Sequence, residues 1–201
     1  MRTLVIDTAT KACSVALFDS GTLIASFYEV IGRGHAERLL PFIAELPERG
    51  RAQSIMVNVG PGSFTGIRVG VAAARALGLA WQAEVAGYGC LQLVAAMAAE
   101  TLTERKAVDV VMTGGHGEYF FQHFNISGAP TADPVSVSPE RLETLLCAPI
   151  TAGDISGDGS IQHFDIIPNA NKWHLIAEVP ALPPIPVYCR APDAKLPKAR
   201  T

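Results

Sequence analysis

The run Val57-Asn58-Val59-Gly60-Pro61-Gly62-Ser63-Phe64-Thr65-Gly66-Ile67-Arg68-Val69-Gly70 constrains the fold of this chain more than any other segment. It reads as a buried strand, a glycine-proline turn and the start of a long helix. Glycines let one backbone approach another closely, and a helix N-terminus offers free N–H groups to an anion. Such a turn can cradle a phosphate, or it can pack one element tightly against the next. The familiar motifs fail on spacing. A P-loop requires lysine after its last glycine, and Gly66 is followed by Ile67. The dinucleotide fingerprint requires glycine or alanine where Thr65 stands, and a nucleophile elbow requires glycine where Pro61 stands. Ser63 is expected to cap the helix.

The helix is expected to run from about Phe64 to Gln82, with Gly66, Gly70, Ala74 and Gly78 at four-residue steps along one face. Glycine within a helix costs about 0.5–1 kcal/mol relative to alanine, so the stripe implies close approach of another backbone, within the fold or across a subunit interface. Ile67, Val71 and Leu77 lie on an adjacent core face.

Before this unit, Thr3–Ile6, Cys13–Phe18 and Leu23–Val30 read as strands, with Asp19-Ser20-Gly21 as a turn. His35–Leu46 has helical spacing, with Leu39, Leu40, Ile43 and Leu46 on one face, and Pro47–Gly50 ends it. Ser54–Val59 and Glu84–Gly87 are strands, and Leu91–Leu102 is an alanine-rich helix. Hairpin strands followed by βα units imply an α/β fold with a mixed sheet covered by helices. The polar stretch Glu100–Lys106 marks a boundary, giving a first domain over 1–104 and a smaller second one over 105–201. In the second half Val108–Met112 and Glu118–Phe124 read as strands and Pro139–Cys147 as a short helix. Ser156–Ser160 reads as a polar loop, Lys172–Glu178 as a further helix, and Pro186–Arg190 as a short strand or extended segment. No repeat of solenoid period is present.

With 49% apolar and 17% charged residues among 201, the chain is expected to be globular. A net charge of −3 argues against a broad nucleic-acid-binding face, and Arg190, Lys195, Lys198 and Arg200 are expected to form a solvated tail. Cys13, Cys90, Cys147 and Cys189 lack the paired spacing of a zinc site or redox motif, and Cys13 and Cys90 have the neighbours of buried thiols. A strand begins almost at residue 1 and no apolar run could span a bilayer, so a cytoplasmic protein without membrane contact is expected.

Asp7-Thr8-Ala9-Thr10 after a first strand, followed by a hairpin, resembles the phosphate-binding hairpin of the actin, sugar-kinase and heat-shock-chaperone (ASKHA) superfamily. Together with Gly60–Gly70, His35-Ala36-Glu37-Arg38-Leu39-Leu40-Pro41 and Val187-Tyr188-Cys189-Arg190-Ala191-Pro192, the chain resembles the TsaB (YeaZ) family, the bacterial partners of TsaD in tRNA threonylcarbamoyladenosine synthesis. The resemblance covers the first hundred residues well and the rest thinly. It implies two ASKHA (RNase H-like) domains, the second reduced, and a non-catalytic subunit with no cofactor. The implied partners are a TsaD-like catalytic paralogue, a TsaE-like ATPase, tRNA through the complex, and a second copy when the protein is alone. Pairing in the family uses helices of the first domain, which points here to His35, Leu39, Ile43, Gly66, Gly70, Ala74 and Gly78. Gly70→Leu is then expected to abolish pairing and leave the monomer folded.

Asp7, Thr8, Thr10, Gly62 and Ser63 are candidates for a vestigial phosphate site. Asp7 can hold a hydrated magnesium near ATP or ADP, or accept backbone N–H bonds in its own turn. Arg68 can reach a phosphate or a partner carboxylate, or lie solvated in the first helical turn. His35 can cap its helix, and Glu37 and Arg38 are expected on an exposed face. TsaD carries a His-x-x-x-His metal pair. Here His35, His116, His123, His163 and His174 include no such spacing and no His-Glu-x-x-His, so no metal site is expected. Where relatives show Asp-Ala-Arg-x-Gly-Glu-Val-Tyr this chain has Thr113-Gly114-Gly115-His116-Gly117-Glu118-Tyr119-Phe120, and the aspartate is replaced by Thr113. The alternatives are a sugar-kinase-type phosphotransferase that binds ATP with Asp7 and the glycine turn, or a homodimeric scaffold for another partner. The kinase reading needs a second acid, and Thr113 disfavours it.

Overall fold

The computed structural model describes residues 1–155 and 161–189. Strands β1 (Arg2–Asp7), β2 (Ala12–Asp19) and β3 (Thr22–Val30) form an antiparallel meander. Ser20 and Gly21, both at positive φ, make the two-residue turn between β2 and β3. Helix α1 (His35–Glu45) crosses to β4 (Ser54–Asn58), which lies parallel to β1, and α2 (Phe64–Trp81) crosses to β5 (Glu84–Tyr88), parallel to β4. The sheet order is β3-β2-β1-β4-β5.

Alternation along the strands divides their residues between the two faces. Leu4, Ile6, Val15, Leu17, Ile55 and Val57 meet Leu39, Phe42 and Ile43 of α1 and Ile67, Val71 and Ala74 of α2. Val5, Ala16, Phe18 and Met56 point the other way, toward Leu93 of helix α3 (Cys90–Glu100) and toward Ala170 and Ile176.

The second half repeats the plan. Strands β6 (Val108–Thr113), β7 (Tyr119–Phe124) and β8 (Val135–Val137) form a meander. Helix α4 (Pro139–Leu145) then leads to β9 (Ile150–Gly153), parallel to β6, and β10 (Gln162–Asp165) lies parallel to β9. The order β10-β9-β6-β7-β8 matches that of the first sheet strand for strand. This is a two-domain α/β architecture of mixed sheets, ASKHA-like and with a reduced second half.

The halves exchange elements. Leu91, Val94, Ala95 and Ala98 of α3 enter the core of the second sheet beside Val108, Val110 and Ile150, although α3 precedes that sheet in the chain. A 3-10 helix over Ala170–Ile176 returns to the first sheet, where Trp173 meets Phe18 edge-on at 5.6 Å. The segment expected as an α-helix over Lys172–Glu178 is thus a 3-10 turn that begins earlier, at Ala170. Pro186–Tyr188 is extended rather than a strand, and the Val187 N–H donates to Val59 O at 2.8 Å. Prolines at 183, 184 and 186 deny that segment the donors a ladder needs. Ser156–Ser160 and the basic tail from Arg190 lie outside the described residues.

Candidate functional site

The glycine turn sits at the C-terminal ends of β1 and β4, where ligands of open α/β sheets usually bind. Asn58, the last residue of β4, joins two chain segments. Its Nδ2 donates to Asp7 Oδ2 at 2.7 Å, and its Oδ1 accepts the Gly60 N–H at 2.9 Å. Asp7 also accepts from Tyr88 Oη at 3.0 Å and from the Ala9 N–H at 3.2 Å. Its carboxylate is buried, and burial holds the group above the usual carboxylate range despite those donors. The same burial, reinforced by the Asp7 charge, pushes the Tyr88 hydroxyl and the Cys90 thiol well upward.

Residues 8–10 lie directly on the glycine turn. The Ser63 N–H donates to Ala9 O at 2.6 Å, and Thr8 Oγ1 donates to Gly66 O at 2.7 Å. A Cβ at Gly62 would fall on Ala9 O and one at Gly66 on Thr8 O, so both glycines are required by this backbone contact. Ser63 Oγ accepts the Gly66 N–H at 3.2 Å, which makes it the N-cap of α2.

Beyond this contact a cleft of about 1050 Å³ opens between the two sheets. Thr10, Lys11, Gly62, Ser63 and Arg68 line one wall, and Thr113–His116, Phe120 and Asp154 line the other. Asp7 and Thr8 are buried behind the first wall, whereas Thr10, Gly62 and Ser63 reach the cleft. At its mouth the Arg68 guanidinium lies 3.5 Å over the Phe64 ring and its Nε donates to Tyr188 Oη at 2.7 Å. This ties α2 to the extended segment near the end of the described chain. Asp154 accepts the Thr113 N–H at 2.6 Å, so the second wall carries an acid although Thr113 is not one. Sequence reading missed Asp154. The signal was Ile150-Thr151-Ala152-Gly153-Asp154, an apolar run ending in aspartate as in Val5-Ile6-Asp7.

The residues expected to form a partner interface all face inward. His35, Leu39, Ile43, Gly66, Gly70, Ala74 and Gly78 are buried within the monomer. His35 does not cap α1; its Nε2 lies 2.9 Å from Thr10 O and 3.2 Å from Ala12 O, and it pins the hairpin loop to the helix. The small stripe of α2 rests on the first sheet. A Cβ at Gly70 would meet Thr8 Oγ1 and one at Gly78 would meet Val85 Cγ2. The close approach is therefore internal, and the expectation that Gly70→Leu would spare the fold is corrected. The outward ridges of the same helices are Ala36, Leu40 and Ala44 on α1 and Ala72, Ala76 and Leu79 on α2. Leu40 is 54% and Leu79 85% exposed, and Glu37 and Glu45 flank one ridge while Arg68 and Arg75 flank the other.

Two mixed sheets of the same strand order, facing each other across a cleft with a strand-end aspartate and a capped glycine turn, define an ASKHA-like two-domain protein. The sequence model of the family described as TsaD, tRNA N6-adenosine threonylcarbamoyltransferase, matches residues 28–162. The tRNA threonylcarbamoyladenosine biosynthesis protein TsaB of Escherichia coli is 40% identical over 100 residues, covering 47% of this chain and 43% of that protein. TsaB of Haemophilus influenzae is 35% identical over 124 residues, 59% of this chain and 51% of that one. The chain thus spans about half the length of the curated relatives it matches. The solved structure of YeaZ from Pseudomonas aeruginosa superposes with a TM-score of 0.77 at 27% identity, over 93% of this chain and 99% of that one. The chain belongs to the TsaD family and, within it, to the TsaB/YeaZ group.

Proposed function

We propose that this protein serves tRNA threonylcarbamoyladenosine synthesis as a non-catalytic subunit that binds a TsaD-type transferase, with a TsaE-type ATPase as a further partner. It would support threonylcarbamoyl transfer to adenosine 37 of tRNA in the cytoplasm. Relatives 40% and 35% identical over about half of this chain bear the name of that pathway. The observation that carries the pairing is the outward ridge of α1 and α2, where exposed Leu40 and Leu79 stand among alanines. Smooth helix ridges flanked by opposite charges suit a close helix-on-helix interface. Among the described residues no helix is long and apolar enough to cross a membrane.

The test is to mix the protein with the TsaD of its own organism and measure mass by size-exclusion chromatography with light scattering. A heteromeric peak from the parent protein, lost with Leu79→Glu while the circular dichroism is unchanged, supports the reading. No complex between two folded proteins sinks it. A second reading rests on Lys11, Arg68 and Asp154 in the cleft, which could accept a nucleotide. Calorimetric titration with ATP and magnesium tests it directly, and no heat at millimolar nucleotide ends it.

A further inference from the structure

A polar row crosses the face of the second sheet that is turned toward α4. His163, Thr151, Asp109 and His123 stand opposite one another on β10, β9, β6 and β7. Their neighbours on that face, Val111, Phe121, Val137 and Leu142, are apolar. Asp109 is wholly buried in the middle of the row. Its Oδ2 accepts the N–H groups of Cys147 at 2.7 Å and Ala148 at 2.8 Å, so the loop after α4 is tied over the carboxylate. Its Oδ1 lies 2.6 Å from His123 Nδ1, and the same Nδ1 lies 3.4 Å from Cys147 Sγ. The Asp109, His123 and Cys147 donor atoms all fall within 4.8 Å of one another.

Aspartate, histidine and cysteine together raise the idea of a nucleophilic triad, but the geometry opposes it. A triad uses the two ring nitrogens separately, one for the acid and one for the nucleophile. Here the acid and the sulfur share Nδ1, leaving no relay through the ring. Slight desolvation and the Asp109 charge also push the exposed Cys147 thiol up, opposite to an activated nucleophile.

The geometry points to a divalent transition-metal site, of zinc type, with Asp109 Oδ1, His123 Nδ1 and Cys147 Sγ as ligands. A mixed oxygen, nitrogen and sulfur set suits zinc better than magnesium or calcium. With metal–ligand bonds of about 2.0–2.3 Å, donors around a tetrahedral ion stand roughly 3.3–3.6 Å apart, which is the spacing of Cys147 Sγ and His123 Nδ1. Asp109 Oδ1 would move outward by less than an ångström while Oδ2 stays on its two backbone donors, a ready-made orienting shell. Cys147 is exposed, so the ion can enter from solvent and a water can complete the set. On binding, the thiol proton leaves to solvent and any proton on Nδ1 moves to Nε2 through solvent, so that sulfur and nitrogen each present a lone pair.

Anaerobic titration of the full chain with cobalt(II) reads the site directly. A 1:1 near-ultraviolet thiolate-to-cobalt band that zinc abolishes is expected. Cys147→Ser should remove the band, and His123→Ala should weaken cobalt binding at least roughly tenfold, each with unchanged circular dichroism. Absence of a band at about 1 mM cobalt overturns the assignment. So does a band that survives in Cys147→Ser or binds equally well in His123→Ala, since the metal would then sit on another thiol. Should His123→Ala fail to fold, His123→Gln supplies the same comparison.

Discussion

Asp7 shows what it costs a core to hold a carboxyl group. Its oxygens face Asn58, Tyr88 and the Ala9 N–H, yet burial outweighs those donors and the carboxyl holds its proton more tightly in the folded protein than in the unfolded chain. A raised folded-state value means stability declines as pH rises from the unfolded value through the folded one, and is level beyond it. Asp7→Asn removes this term. The difference in urea-unfolding free energy should therefore move in the variant's favour from about pH 4 upward and then flatten; a difference constant with pH would show that Asp7 does not titrate in this way. Ser63→Ala removes the side-chain acceptor for the Gly66 N–H and should lower stability by about 1 kcal/mol, measured by the same unfolding experiment. Gly70→Leu forces a side chain against Thr8, Val57 and Ile6, and a loss of about 3 kcal/mol or more is expected from overpacking of this kind.

At the scale of elements, α2 has two faces with different duties. Its glycine stripe lies on β1, β4 and β5, and its outer ridge of Ala72, Ala76 and Leu79 faces solvent. Leu79→Glu should change stability by no more than about 0.5 kcal/mol, as exposed substitutions do, and should abolish the proposed partner complex. Thermal unfolding alongside light scattering separates the two effects. Sequence periodicity placed this helix within a residue at each end, because apolar spacing and Ser63 are local signals. It could not tell which small face turned inward. Four small residues at four-residue steps suit a crossing with a neighbouring strand or with a partner helix equally well. The short strands Val135–Val137, Ile150–Gly153 and Gln162–Asp165 went unread for a related reason, since runs this brief carry too few alternations to stand out from loop.

In the whole molecule, the two halves are locked by exchange. Helix α3 packs into the second core, and Ala170–Ile176 packs back onto the first sheet, with the Ala170 N–H on Ser14 Oγ at 3.0 Å. Unfolding should accordingly follow a single transition in urea, and Trp173→Ala should destabilise the entire chain by about 2 kcal/mol. Two separated transitions would show that the halves fold independently. The sequence alone determined the α/β class, the hairpin and βα order of the first half, the capped glycine turn and the family, because each is written in adjacent residues. Only tertiary structure decided that Asp7 turns inward, that Asp154 supplies an acid beside Thr113, and that Asp109, His123 and Cys147 meet. Asp109 lies 14 positions from His123 and 38 from Cys147, and Thr113 lies 41 from Asp154, so strand register and the closing of the loop after α4, not local spacing, bring them together.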